Sequence, residues 1–142
     1  MTVEAGGIAE SRSHGTISIP AERTIGTFSE GRGPVYLIVV FWGDKYRRFF
    51  ETLCLPSMLA PGNLPVLQAH PGSKLMICTT DADWAALQDL PLFRRLRDFV
   101  EPVMIDIGLP PAGLHPGFHM SKGHAICIGL ARQNRSWIRV AP

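Results

Sequence analysis

The feature that most restricts the fold is the run "VYLIVVF", Val35 to Phe41, followed at once by Trp42, Gly43 and Asp44. A continuous apolar, β-branched run without polar alternation predicts a strand covered on both faces, which is the habit of parallel sheets. Parallel neighbours cannot be joined by a tight hairpin, so the chain must cross over, normally through a helix. Gly43 supplies the turn, and Asp44 predicts a helix N-cap because its carboxylate can accept from the exposed first-turn amides. The helix that follows is expected to bury Tyr46, Phe49, Phe50, Leu53 and Cys54, with Arg47, Arg48 and Glu51 between them.

The remaining chain repeats that alternation. Pro56 has no N–H for the Thr52 carbonyl, so the helix should kink or stop there, before "SMLAPGNLP" closes it. Residues 64 to 73 read as an irregular loop, and Lys74 to Thr79 as the second strand. Thr80 or Asp81 caps a helix striped by Trp84, Leu87 and Leu90. Pro91 suits the first turn of another, in which Leu92, Phe93, Leu96 and Phe99 alternate with Arg94, Arg95 and Arg97. Val103 to Ile107 is the third strand, and the loop "GLPPAGLHPG" leads to a helix from Phe118 to about Gln133. That helix is apolar nearly all round and is expected as a buried crossover, with Gly123 and Gly129 allowing close approach. Residues 136 to 140 are a fourth strand candidate. The pattern predicts an α/β fold: a three-layer Rossmann-like sandwich on a mostly parallel sheet of about four strands, built from right-handed βαβ units.

A chain of 142 residues suits one domain. Residues 1 to 33, rich in Gly and Ser with Glu4 and Glu10, predict a flexible leader with one short strand at Thr16 to Ile19. They lack the apolar region of a secretory signal. Residues 34 to 142 carry the expected globular domain. A formal charge of +2 argues against nucleic acid, which calls for a strongly basic face. The longest apolar run, Val35 to Trp42, falls far short of the ~20 residues of a membrane span. Three cysteines, an odd count, argue against a disulfide framework and favour the cytoplasm.

In open α/β sheets, ligands bind beyond the carboxyl ends of the strands, near a switch in strand order. That selects Trp42 to Lys45, Thr79 to Asp83 and the loop Gly108 to Gly117. Asp81 and Asp83 could hold a divalent cation carrying a diphosphate, but a helix cap and a dipole-favoured carboxylate explain them more simply. His115, His119, His124 and Cys127 are all zinc donors by type. Pro116 and Gly117 interrupt the helix that would align the first two, however, so no metal ligand is assigned, and His124 is expected to pack on the sheet with Met120 and Cys127. Dinucleotide, Walker and hydrolase-elbow motifs are all absent. Cys54, Cys78 and Cys127 lie on apolar stripes, where desolvation raises a thiol pKa rather than activating it. The arginines at 47, 48, 94, 95 and 97 suit solvated helix faces.

The segments "VYLIVVFWGDKYRRFFETLCLPSMLAPGNLP", "KLMICTTDADWAAL" and "HMSKGHAICIGLA" together resemble the amino-terminal part of bacterial glycosyltransferase-like proteins related to the nucleotide-diphospho-sugar transferases. The resemblance covers about residues 34 to 133. It implies a GT-A-like domain that takes a sugar from a nucleotide donor, with Trp42, Gly43, Asp44, Thr79, Thr80 and Asp81 approaching the nucleotide. It also implies Mn²⁺ or Mg²⁺ if the domain is active, held by an acidic motif after a later strand, at a position past Pro142. The expectation is therefore an incomplete copy, glycosyltransferase-like, with no catalytic residue assigned. The alternative is a non-catalytic α/β scaffold that forms a homo- or hetero-oligomer through its terminal strand.

Overall fold

The most thoroughly buried strand is β2, Lys74–Thr79, in which every residue after Lys74 is enclosed. Its neighbours are β1, Val35–Val40, and β3, Glu101–Asp106, both parallel to it. A computed structural model describes residues 33–134 and 137–140 of the chain. In it a further strand, β4 (Trp137–Val140), pairs parallel to the far side of β1, so that the order is β3-β2-β1-β4. The expected leader and its short strand lie outside the described residues, except for Gly33, whose carbonyl accepts from His70 Nδ1 at 3.0 Å.

Between β1 and β2 run α1 (Asp44–Phe49), a π-helical stretch (Phe50–Cys54), α2 (Leu55–Met58) and a 3₁₀ turn (Leu64–Ala69). Between β2 and β3 lie α3 (Asp81–Gln88) and α4 (Pro91–Leu96), and α5 (Pro116–Gln133) joins β3 to β4. Side chains alternate across the strands and build two cores. Leu75 and Ile77 pack with Leu55, Leu87, Phe93 and Leu96 on one face, while Ile38, Met76 and Cys78 pack with Cys127 and Ala131 on the other. A parallel sheet with an apolar layer on each side is the result.

Four expectations change. Leu37 and Val39 in β1 are only partly buried, so β2 is the strand covered on both faces, because the helical layer leaves a groove beside β1. The helix does not stop at Pro56: the Leu55 N–H reaches back five residues to the Phe50 carbonyl, and Pro56 falls in the first turn of α2. That π turn inserts one residue into the helical repeat and rotates everything after it by about 100°. Phe50, Leu55 and Met58 therefore face the core, while Tyr46, Phe49 and Leu53 are left 54%, 49% and 66% exposed. Residues 64–69 are 3₁₀ helix rather than irregular loop. Finally, α5 is buried along one stripe only, His119, Gly123, Cys127 and Ala131, with Phe118, Met120, Ile126 and Leu130 exposed. Met120 is thus turned out and His124 half-buried; His119 takes the place on the sheet.

Gly123 sets the distance between α5 and the sheet. A Cβ there would lie 3.2 Å from Cys78 Cβ and 3.3 Å from Val40 Cγ1. Gly123→Leu is expected to force the two layers apart and destabilise the domain by about 2 kcal/mol, seen as a lower urea midpoint with an unchanged slope. Gly129 has nothing within 4 Å of its Cβ position, so Gly129→Ala should instead stabilise slightly.

Candidate functional site at the carboxyl edge of the sheet

β1 and β2 end side by side: Val40 pairs with Cys78, and the Phe41 N–H donates to the Cys78 carbonyl at 3.1 Å. Parallel pairing therefore places the Trp42 to Asp44 corner beside the Thr79 to Asp81 corner. The residue that ties them together is Asp83, which is only 3% exposed. Its Oδ2 accepts from the Gly43 N–H at 2.8 Å and from the Thr80 hydroxyl at 2.8 Å. Its Oδ1 accepts from Arg47 at 2.8 Å. Burial pushes the Asp83 pKa up, but the hydrogen bonds from Gly43, Thr80 and Arg47, with the Arg47 charge, outweigh it and hold the carboxyl below its ordinary value.

Local chemistry explains each part. Thr80 is the N-cap of α3, its hydroxyl oxygen accepting from the Asp83 N–H at 3.3 Å. Gly43 sits at φ 83°, a conformation that favours glycine, and turns its N–H toward Asp83. Gly43, not Asp44, is the residue at the N-cap of α1, and no side chain caps that helix. Asp44 falls in the first turn, where it pairs with Arg47 at 3.0 Å and remains 80% exposed. Arg47 Nε lies 3.2 Å from Glu51 without the alignment of a hydrogen bond.

Of the six residues expected at the site, Trp42 is half-buried, its ring meeting His119 edge-on at 5.0 Å, and Asp81 is exposed. His119, itself buried, donates from Nε2 to the Gly108 carbonyl at 2.9 Å, which fastens the start of α5 and the Gly108 loop behind Trp42. Thr79 is fully enclosed, and its hydroxyl has no hydrogen-bond partner among the described residues. A buried hydroxyl without a partner lowers stability. Thr79→Val is therefore expected to raise the thermal midpoint, by about 1 kcal/mol of stability, in the ligand-free protein.

Asp83 lies in the selected Thr79 to Asp83 corner but is expected there only as a helix-start carboxylate, and Arg47, expected on a solvated helix face, is instead 18% exposed and paired with it. The sequence signal for Asp83 was Thr80-x-x-Asp83, which announces a helix start but not a partner 36 positions earlier in the chain. Because Asp83 is committed to Arg47 while Asp81 is exposed, the two carboxylates do not act as a cation pair. The zinc donors are not brought together either. His115 Nδ1 accepts from the Gly117 N–H, His119 is bound to Gly108, and Cys127 lies against Cys78. Among the described residues no three His, Cys, Asp or Glu side chains converge to hold a metal, and no helix is long and apolar enough to cross a membrane. Comparison of the chain with protein-family models, curated proteins and solved structures gave no match.

Proposed function

We propose that residues 34 to 142 form a GT-A-like, nucleotide-sugar-binding α/β domain. Trp42, Gly43, Asp44, Thr80 and Asp81 would supply one wall of its crevice, with Thr79 enclosed behind them. The observation that carries this reading is the strand order β3-β2-β1-β4. The chain builds outward from β1 to β3 and then returns to β1's other side, so the order reverses at β1, and ligands of open α/β sheets collect at the carboxyl end of such a reversal. The Trp42 to Asp44 corner occupies that end, held in shape by Asp83. The donor set described above does not fit a protein-held divalent cation, so no step is assigned to one; a cation would arrive with the diphosphate. Catalytic groups are likewise unassigned, and the domain is read as binding a nucleotide-sugar.

Calorimetric titration with uridine, guanosine, adenosine and cytidine diphosphates, with and without Mn²⁺ or Mg²⁺, tests the proposal. Saturable binding of at least one is expected. Trp42→Ala should weaken it at least fivefold, since aromatic contact with a base contributes about 1–3 kcal/mol. No heat with any nucleotide would end this reading.

A second reading, a non-catalytic scaffold, is favoured by the apolar side chains exposed on both faces. Tyr46, Phe49 and Leu53 border a groove of about 430 Å³ that contains none of the expected site residues, and Phe118, Ile126 and Leu130 are exposed on α5. β4 lies at the edge of the sheet, where a strand of another chain can add. A concentration-dependent dimer indifferent to nucleotides would support the scaffold; a monomer that binds a nucleoside diphosphate would remove it.

A further inference from the structure

Cys78 lies on the face of β2 that meets α5, where Gly123 brings the helix backbone close enough for the Cys78 Sγ to reach the Gly123 carbonyl at 3.6 Å. One turn further along the same stripe, Cys127 Sγ stands 3.2 Å from Cys78 Sγ, and both residues are fully buried. A disulfide needs its sulfurs about 2.0 Å apart, so roughly 1 Å of approach separates this thiol pair from a bond. Neither sulfur is used by the site at the carboxyl edge, and packing alone does not require two thiols in mutual contact.

We propose that Cys78 and Cys127 are a reversible redox pair whose oxidation staples α5 to β2. The oxidant is hydrogen peroxide. One thiol gives its proton to solvent, and the thiolate sulfur attacks a peroxide oxygen; the O–O bond breaks and the departing hydroxide is protonated to water, leaving a sulfenic acid. The second sulfur attacks the sulfenic sulfur and displaces hydroxide, which takes that thiol's proton. The sum is two thiols and one peroxide giving one disulfide and two waters. Both sulfurs are fully enclosed, so the first step follows a local opening of α5 rather than direct attack on the closed fold. Once formed, the bond closes a loop across 49 sequence positions and opposes that same opening. The stripe that carries Cys127 also carries His119, so the staple secures the helix that backs Trp42.

The test uses the full chain with Cys54→Ser, reduced, freed of reductant and exposed to hydrogen peroxide. The expected product is a monomer lighter by two hydrogen atoms, with the peptides containing residues 78 and 127 joined. Its thermal midpoint should be roughly 5–15 °C higher, and the change should be reversed by dithiothreitol. Should Cys54→Ser not fold, peptide mapping of the unsubstituted chain decides, because a 78 to 127 link is distinct from any link through 54. Oxygen adducts on separate cysteines, links between chains, a linked product of lower midpoint, or no reaction at all would each overturn the proposal.

Discussion

Asp83→Ala is expected to destabilise the domain by about 3–5 kcal/mol, the cost of removing one partner from a buried ion pair. Three groups lose their acceptor at once: the Gly43 N–H, the Thr80 hydroxyl and the Arg47 guanidinium. Arg47 has only 18% of its side chain exposed and keeps Asp44 and Glu51 nearby, which places the loss toward the lower end of the range. Asp83→Asn preserves shape and some hydrogen bonding, and should cost less. The measurement is a urea midpoint at neutral pH, together with nucleotide titration, because release of Gly43 loosens the Trp42 corner as well as the fold. The pH dependence has a definite sign. The folded carboxyl has the lower pKa, so the unfolded chain binds more protons as the pH falls. The contribution of Asp83 is complete above the unfolded value of about 3.9 and is lost as the pH drops through the lower folded value. Asp83→Ala should therefore flatten this part of the acid limb of the stability profile. An unchanged midpoint and acid limb would show that Asp83 does not hold the two corners together.

Phe93→Ala should be of similar size, about 3–5 kcal/mol, for a different reason. Phe93 is fully buried on α4, with its ring edge-on to Trp84 at 5.7 Å and packed into the core that contains Leu75, Leu87 and Leu96. Truncation removes the transfer energy of the ring and leaves a space that the short helix, anchored at Pro91, has little freedom to fill. Leu92→Ala, one residue away and 39% exposed, is the control and should cost less than about 1 kcal/mol. Thermal unfolding of the two variants separates a core position from an apolar residue at the surface. Equal losses would contradict this packing.

Most of the element order was legible because local chemistry controls it. "KLMICT" is a strand for its whole length, Thr80 caps α3, and Pro91 opens α4, each through interactions within a few residues. The errors have one common origin. Tyr46, Phe49 and Leu53 satisfy α-helical spacing, whereas Phe50 and Leu55, five residues apart, share a face only because a π turn lies between them, and no spacing rule announces that turn. Likewise α5 carries apolar residues all round, and periodicity cannot say which stripe will meet a sheet. The stripe with Gly123 does so, and the missing side chain there lets Cys78 and Val40 come close to the helix backbone.

The sequence by itself determined that this chain alternates strands with helices, that the strands run parallel, and that the Trp42 and Thr79 corners lie at their carboxyl ends. Those properties follow from side-chain shape, capping and turn chemistry over short distances. Only the tertiary structure decided that Asp83 joins the two corners through Gly43 and Arg47, that His119 stands behind Trp42, and that Cys78 and Cys127 touch. Each of these pairs residues from different elements. Their meeting depends on strand order and layer spacing, which emerge when the two cores close rather than from any local stretch of chain.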